Sequence, residues 1–361
     1  IILPANTLSA GGYSVANSCR FNDGDSPKIT RTLGTASDRD KWTWSAWIKK
    51  ATNGIDQVLF SAYSDASNYT EIRFDSASDA LQVRNKIAGS FAGRQHTNRQ
   101  FRDPAAFYHI VIIWDSGNAT AGDRMKMYIN GVEETSMNLN NNPDQDADSW
   151  INYTVAHSLG SLDTSNYFDG YMSEVVFCDG QALTPTSFGE FDEDSPTIWK
   201  PINVSGLTFG TNGCYLDFED SANLGNDANG GTDWSETNIV AADQATDTPT
   251  NNFCTMNPLD NYYAAFTYSQ GNCRLVNSTK GFATGTFGLT AGKWYWEIKP
   301  SAGDGAYYLL GIADFITQGT GASNYLGYTS GEYAYYAADG AARTNQNSPA
   351  YGDTYAADDI I

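Results

Sequence analysis

Positive charge is scarce in this sequence. Lysine and arginine together number 21 against 42 aspartate and glutamate residues, so the formal net charge is −21. Nucleic-acid binders gain much of their affinity from cations that neutralise phosphates, so this balance argues against nucleic acid and against anionic lipid as partners. Long apolar runs are also missing: no stretch of about 18 apolar residues occurs, which predicts no membrane insertion.

Histidine and cysteine are few and widely spaced. The three histidines form no metal-binding pair pattern, and the five cysteines include no Cys-x-x-Cys pair. His109 lies in a strand-like run and is interpreted as a packed strand residue. Buried free thiols are the expectation for the cysteines, and Cys254 with Cys273 is the pair to test for a bridge.

Sequence signatures of catalysis are missing as well. The chain has no G-x-S-x-G elbow with a partner histidine, no P-loop and no G-x-G-x-x-G fingerprint. Some glycosidases carry acids spaced E-x-D-x-x-E on one strand, but the nearest run, Glu190 to Asp194, continues with Ser195 and Pro196. The sequence therefore predicts a protein that is not an enzyme and has no catalytic residues.

The sequence does contain many short runs in which apolar and polar residues alternate. Aromatic residues make up 13% of the chain, which is enough to bury a core. Asn-Gly and Asp-Gly pairs separate the runs, and Met125–Glu133, centred on Asn130 and Gly131, is the clearest hairpin. This pattern predicts an all-β protein with an antiparallel jelly-roll sandwich. The alternating runs are Trp42–Ile48, Glu71–Phe74, Ala80–Arg84, Met125–Ile129 and Tyr171–Phe177.

The chain is long enough, at 361 residues, for two domains. Prolines and acids dominate residues 184–201, and a stretch rich in Asp, Asn and Gly follows. We therefore expect a jelly roll over residues 1–195, a linker with one short strand over 196–252, and a second β-sandwich over 253–361. The start, Ile1–Pro4, has no initiator methionine or basic signal-peptide segment, so we expect a fragment or a processed product.

Two known folds are suggested by the order and spacing of particular segments. Residues 15–190 resemble a laminin-G-like jelly roll of the concanavalin type, related to pentraxins. Residues 253–361 resemble the beginning of a SPRY domain, which implies a second sandwich that is truncated at its C-terminus. The segments that carry these resemblances are Thr43–Ile48, Val58–Ser61, Tyr108–Val111, Met127–Gly131 and Phe168–Val175 for the first, and Gly292–Ile298, Leu310–Ala313 and Leu326–Tyr328 for the second.

The combination of segments is also informative. With Phe177–Pro185, Trp199–Pro201, Gly213–Phe218 and Asp247–Phe253, nearly the whole chain resembles tail-fibre or virion-surface proteins of marine tailed bacteriophages. This resemblance implies a virion structural protein that is assembled in the bacterial cytoplasm and displayed on the virion surface. Its implied partners are other virion proteins and host cell-surface polysaccharide, and its implied assembly is a homotrimer.

The pentraxin resemblance implies calcium as a cofactor, held by oxygen ligands on loops. On this sequence it implies Asp65, Asn68 and Asp163 as ligands. A second candidate calcium site comes from the recurring oxygen-bearing residues of a loop, which include Asp217, Asp220 and Asp227. The alternative interpretation of both sets is that they are solvated turn residues.

Tyrosines among small polar residues suggest a ligand-binding surface in the second block. Tyr325, Tyr328 and Tyr336 lie where the binding loops of a SPRY domain would lie, and tyrosine offers a rigid face with a hydrogen-bonding tip. The alternative is that tyrosines of this block fill a sandwich core.

These observations predict a non-enzymatic bacteriophage tail-fibre or virion-surface protein that recognises host-surface glycan. One alternative is a purely structural protein that decorates the capsid or tail. The other is a depolymerase that acts on host glycans. Calcium-dependent binding to glycans would favour the first function, and release of reducing ends from host polysaccharide would favour the depolymerase.

Overall fold

The computed structural model describes residues 12–301, 307–314 and 325–361. The described chain is built from β-strands joined by turns and coil, with single-turn 3₁₀ helices at Asp23–Asp25, Ala121–Asp123, Pro185–Ser187 and Ala241–Asp243. No helix in these parts of the chain has the length and apolar character needed to cross a bilayer. The prediction of an all-β fold is confirmed.

The chain divides into two compact units. The first unit runs to Asp260 and also takes Phe266–Ser278 and Ala283–Gly288. The second unit comprises Asn261–Ala265, Thr279–Phe282 and Leu289–Ile361.

The strands are numbered in chain order. Those up to residue 245 are β1 (Ser18–Phe21), β2 (Lys28–Thr32), β3 (Lys41–Lys50), β4 (Gln57–Asp65), β5 (Asn68–Phe74), β6 (Ala80–Ile87), β7 (Ser90–Gln100), β8 (Tyr108–Asp115), β9 (Met125–Ile129), β10 (Val132–Glu133), β11 (Met137–Asn141), β12 (Ala156–Leu159), β13 (Gly170–Asp179), β14 (Gly189–Phe191), β15 (Trp199–Pro201), β16 (Cys214–Leu216), β17 (Ser235–Thr237) and β18 (Gln244–Ala245). The later strands are β19 (Met256–Tyr263), β20 (Thr267–Ser269), β21 (Arg274–Val276), β22 (Gly281–Gly285), β23 (Leu309–Ala313), β24 (Glu332–Tyr336) and β25 (Ala342–Arg343).

Two large antiparallel sheets form the first unit. The first sheet has the order β10-β9-β8-β3-β13-β1-β18, with β16 also paired to β13, and the second has the order β11-β7-β6-β5-β4-β12-β2-β17. One core cluster takes Trp44 from the first sheet and Phe60 and Ile72 from the second, so the sheets face each other. Trp44 and Phe60 stack with ring centroids 6.1 Å apart. This is the predicted sandwich.

The predicted hairpin at Asn130 and Gly131 is confirmed. Ile129 of β9 pairs with Val132 of β10, so only two residues make the turn. Both have positive φ, 49° for Asn130 and 78° for Gly131. That backbone matches the right-handed twist of the flanking strands, and Asn-Gly adopts it at low cost.

Residues 196–252 are not a linker, contrary to the expectation. Strand β16 pairs with β13, β17 pairs with β2, and β18 pairs with β1, so this segment extends both sheets of the sandwich. Several of its large apolar side chains, including Phe218, Leu224 and Trp234, are buried in the core. The segment is polar in composition because its Asp, Asn and Gly residues make the turns between these anchor points.

The second unit contains a three-stranded antiparallel sheet in the order β23-β24-β25. Leu310–Ala313, one of the segments that resemble a SPRY domain, lies in strand β23, but Gly292–Ile298, another of them, is not in a strand. Trp294, Tyr295 and Trp296 are 44%, 84% and 48% exposed. A strand is stabilised mainly by packing of its side chains, and these aromatic rings remain largely in contact with solvent.

The cysteines are free thiols. Cys19, Cys178 and Cys214 are buried, as expected, whereas Cys254 and Cys273 are exposed. The structure contains no bridge between these last two, which were the pair to test.

Candidate functional site

The outer face of the second sheet carries a row of polar residues from one edge to the other. Each strand of the sheet contributes one residue to this row, and each of these residues pairs with the next one across the strands. Ile72 and Val83, which are adjacent in sequence to members of the row, belong to the core. Because side chains alternate between the two faces of a strand, the row points away from the core. This polar row consists of Asn141, Arg94, Arg84, Glu71, Ser61, Ser158, Thr30 and Ser235.

A loop covers part of the polar row. The Ser61 hydroxyl donates to the carbonyl of Ser161 at 2.7 Å, and the hydroxyls of Ser158 and Ser161 are 2.7 Å apart. Ser61 and Ser158 are therefore buried. On β6 and β7, Arg84 and Arg94 are only half-buried. We call the part of the row on β5, β6 and β7, with the side chains that surround it on the same face, the open half, because a ligand can reach Arg84 and Arg94 there.

A buried carboxylate lies on β5, at the side of the open half that adjoins the covered part of the row. Glu71 has no solvent exposure, and Arg84 donates to its Oε1 from Nε at 2.5 Å. Arg73 Nη1 lies 4.0 Å from the same oxygen, and Arg73 also pairs with Asp56. Burial raises the pKa of Glu71, while the two guanidinium groups oppose that shift. The other oxygen, Oε2, is buried without a hydrogen-bond partner among the described residues.

Aromatic rings lie beside these charges. The rings of Tyr63 and Tyr69 stack with centroids 6.4 Å apart, and Arg84 lies 5.9 Å from the Tyr69 centroid. Phe91 is 43% exposed, and the guanidinium of Arg94 lies 5.0 Å from its centroid. An exposed aromatic face next to charged hydrogen-bonding groups is what sugar rings require, because their C–H faces are apolar and their hydroxyls are polar.

The first set of predicted calcium ligands is divided between two ends of the second sheet. Asp65 and Asn68 lie together in the β4–β5 turn, where the Asn68 amide donates to both Asp65 oxygens at 2.9 and 3.0 Å. Hydrogen bonds from Asn68 and from the Ser67 backbone lower the pKa of Asp65. Asp163 follows Leu159, the last residue of β12. Leu159 pairs with Phe60 in the first half of β4, whereas Asp65 is the last residue of β4, so the two acids lie at opposite ends of these strands. The structure does not bring Asp163 to the other two.

The second predicted set has local roles in its loop. Asp217 accepts from the Glu219 backbone N–H at 3.0 Å and Asp220 from the Ala222 N–H at 2.9 Å, so both make turns. Asp227 is buried and accepts the Tyr215 backbone N–H at 3.0 Å. In the parts of the chain that the structure describes, no group of three histidine, cysteine or acidic side chains is arranged to hold a metal ion.

The predicted tyrosines lie in the second unit. Tyr325 and Tyr328 are brought together edge to face, with centroids 5.4 Å apart. Tyr336 lies on β24, and the Arg343 guanidinium is 4.6 Å from its ring centroid. All three side chains are half-buried.

A serine and a histidine are in contact in the first unit, but they cannot act as a nucleophile and its base. Ser45 Oγ lies 2.9 Å from His109 Nε2, and the Trp199 indole donates to His109 Nδ1 at 2.9 Å. Nδ1 therefore accepts, so Nε2 carries the proton and donates to Ser45. Burial lowers the pKa of His109 to about 3. The interpretation of His109 as a packed strand residue is confirmed.

The acids nearest to a glycosidase pattern form a small hairpin. Strands β14 and β15 pair, and Lys200 Nζ lies 3.4 Å from Glu190 and 3.2 Å from Asp192. Asp192 also accepts the backbone N–H groups of Asp194 and Ser195 at 3.0 Å. One carboxylate is thus held within a turn, and a lysine lies between the two acids.

The open half of the polar row is not among the sites predicted from the sequence. The sequence pattern that indicates this site is a pair of charged residues at alternate positions on each of two strands. These are Glu71 and Arg73 on β5 and Arg84 and Lys86 on β6. Alternation shows that such residues share a face of one strand, but only the register of the strands shows which of them meet.

Comparisons with known proteins agree with the fold. Residues 23–187 match the family model for the concanavalin A-like lectin/glucanases superfamily. No curated protein sequence matches this chain.

Similar solved structures include proteins from three organisms. A candidate carbohydrate-binding protein of Bacteroides ovatus is 16% identical, with a TM-score of 0.41, and the match covers 65% of this chain and 60% of that one. A pentraxin of Limulus polyphemus is 16% identical over 48% of this chain and 80% of its own, with a TM-score of 0.34. Laminin α1 domains of mouse are 10% identical over 48% and 47%, with a TM-score of 0.33. The two antiparallel sheets, together with the family match of residues 23–187, give the first unit a concanavalin-like jelly-roll fold.

Proposed function

We propose that this protein is a non-enzymatic glycan-binding protein and that the open half of the polar row is its binding site. The observation that carries the proposal is the placement of the exposed Phe91 ring beside Arg84 and Arg94 on an outer sheet face, with Glu71 hydrogen-bonded to Arg84. Aromatic faces supply apolar contact to a sugar ring, while the charged groups fix its hydroxyls. The match of residues 23–187 to a lectin and glucanase superfamily supports the same function.

The absence of catalysis is part of the proposal. Glycoside hydrolysis uses two carboxyl groups that flank the scissile bond. In the open half, Glu71 is paired with Arg84, and Asp56 is paired with Arg73. Incubation with host polysaccharide is expected to release no reducing ends, and release that disappears in a Glu71→Gln variant would establish the depolymerase instead.

The biological setting is proposed from sequence resemblance. It is the virion surface of a tailed bacteriophage, where the chain would serve as a tail-fibre subunit beside other virion proteins, as a homotrimer, with host polysaccharide as ligand. The second unit is proposed to be SPRY-like. An image of the intact particle with this chain located on it tests the setting, and sedimentation tests the trimer. A chain that is found on the capsid and binds no glycan would be a decoration protein.

Binding to a glycan array, with and without EDTA, tests the function. Wild-type protein is expected to bind, and Phe91→Ala is expected to weaken binding about tenfold, since an aromatic contact contributes about 0.5–1.5 kcal/mol beyond its buried area. Phe191→Ala is the matched control, because Phe191 is 42% exposed and lies on the β14 strand. Equal loss in both variants, or no binding to any glycan, would refute the proposed site.

The EDTA arm tests the calcium prediction separately. Binding at the open half needs no metal and should survive EDTA. Binding that EDTA abolishes, and that Asp65→Asn weakens, would favour the predicted calcium ligands over the polar row.

A further inference from the structure

Two arginines face each other across adjacent strands of the open half. Arg84 of β6 and Arg94 of β7 are direct partners in the antiparallel register. Side chains at such positions begin about 5 Å apart, and like charges there destabilise the pair of strands. Both guanidinium groups lie close to the ring of Phe91, at 5.8 and 5.0 Å from its centroid. The sheet therefore concentrates positive charge at one exposed aromatic side chain.

The neighbouring carboxylates leave one of these charges uncompensated. Arg84 pairs with Glu71, and Arg73 pairs with Asp56. Lys86 is the cation that acts on Asp65 in the adjacent turn. Arg84, Arg73 and Lys86 thus each have a neighbouring carboxylate at this face.

Arg94 is the cation left over. Among the described residues no carboxylate lies within ion-pair distance of its guanidinium, and its Nε is buried without a hydrogen-bond partner. It is only half-buried as a residue, so the rest of the guanidinium faces solvent beside Phe91. A planar guanidinium with free donors matches the paired oxygens of a carboxylate or a sulfate.

We propose that the open half binds an acidic polysaccharide, whose carboxylate or sulfate group bridges Arg84 and Arg94 while its sugar ring lies on Phe91. The inference rests on the proposed function and adds the chemical class of the ligand. Glu71, buried beside Arg84 on the same face, accepts from its Nε and so orients the guanidinium. The bound anion removes the repulsion that the register imposes on the two arginines.

The experiment measures binding of the full chain to three polymers at two salt concentrations. Polygalacturonate carries carboxylates, dextran sulfate carries sulfate esters, and dextran is neutral. Wild-type protein is expected to bind at least one acidic polymer more tightly than dextran, with affinity that falls as salt rises. The stronger of the two acidic arms identifies the anion.

Substitutions locate the binding. Arg94→Gln is expected to weaken binding of the acidic polymer about tenfold, as removal of one charge-assisted contact does. Arg94→Lys keeps the positive charge but loses the planar, forked set of N–H donors, so its affinity should lie between those of wild type and Arg94→Gln. The matched control is Arg99→Gln, which removes the same charge from the same strand, at a residue that is 51% exposed and paired with Glu134. It should bind within about twofold of wild type.

The outcomes separate this inference from the proposed function. Binding of neutral glycans that Arg94→Gln leaves unchanged would overturn the acidic ligand but keep the glycan-binding function. Equal weakening by Arg94→Gln and Arg99→Gln would also overturn it, since the effect would be general charge. Binding to no polymer and no arrayed glycan would overturn both. If Arg94→Gln does not fold, as judged by its melting temperature, Arg94→Lys decides.

Discussion

The indole N–H of Trp199 donates a hydrogen bond to Nδ1 of His109 at 2.9 Å, joining residues that are 90 positions apart in the chain. The bond fixes the hairpin β14–β15 to the outer side of the first sheet. The imidazole is sandwiched further by Trp47, whose ring centroid is 4.7 Å away. A neutral histidine thus serves as a structural hydrogen-bonding group inside an aromatic cluster.

Loss of this hydrogen bond should destabilise the first unit. Trp199→Phe leaves the Nδ1 of buried His109 without a donor, and an unsatisfied buried acceptor costs about 1–3 kcal/mol. Trp294→Phe is the control, because Trp294 donates to the Ala291 carbonyl but is 44% exposed, so water replaces the lost donor. Urea denaturation should show the loss for Trp199→Phe only. Equal losses would contradict this account.

Stability should decrease in acid because of the buried histidines. The Asn152 backbone N–H donates to His157 Nε2 at 3.0 Å, and burial lowers the pKa of His157 to about 4. An unfolded histidine has a pKa of about 6.5, so between these values the unfolded chain binds more protons and the free energy of unfolding falls with falling pH. The slope is about 1.4 kcal/mol per pH unit for each such histidine.

The measurement compares wild type with His157→Gln. The free-energy difference between the two proteins should shrink as pH falls from about 6.5 towards 4, because only wild type carries this titration. A difference that stays constant with pH would mean that His157 is not buried in its neutral form.

Glu174 should destabilise the protein when it is ionised. It lies at a register shift of β13, and Tyr215 donates to its carboxyl at 2.8 Å. Burial raises the pKa of Glu174 to about 7, despite the opposing hydrogen bonds from Tyr215 and Tyr13. A raised pKa in an acid means that the folded chain holds the proton more tightly, so stability is lost as pH rises from about 4.5 through 7.

Glu174→Gln should therefore stabilise the protein at pH 8, by up to about 3 kcal/mol. The advantage should vanish below about pH 4.5, where the carboxyl is protonated in both states. Denaturation curves at the two pH values measure it. A variant that is less stable than wild type at pH 8 would show that the ionised carboxylate is well solvated.

Gly131 should tolerate no side chain. A Cβ at this position would overlap the ring of Trp199, and the residue also has a φ of 78°. Gly54 has a similar φ of 76°, but its Cβ would meet open space. Both alanine variants carry the backbone strain of a positive φ, about 1–2 kcal/mol. The melting temperature should fall further for Gly131→Ala, and equal decreases would contradict the proposed overlap.

Local patterns explain why the strands and the hairpin could be predicted. Trp42, Trp44 and Ala46 alternate with polar residues, and all three are in the core as the period of two requires. Asn130 and Gly131 identify their turn from two adjacent residues. Such signals need no information from elsewhere in the chain.

Long-range pairing explains what was missed. The segment 196–252 resembles a linker with one short strand, and that strand is present as β16. The strands β17 and β18 were missed because they have only three and two residues, too few to show a period. Their partners, β2 and β1, lie far away in the sequence. The segment Gly292–Ile298 shows the opposite case: it resembles part of a SPRY domain, but in the structure it is not in a strand and its aromatic rings remain exposed.

The amino-acid order alone determined the all-β class, the faces on which side chains lie, and the strongly acidic charge, because each depends on composition or on near neighbours. Tertiary structure decided the rest. Arg84, Arg94 and Glu71 meet only because three strands align in one register, and Asp65 is kept from Asp163 because β4 and β12 run in opposite directions. Register is set by packing of the whole sandwich, which no local pattern encodes.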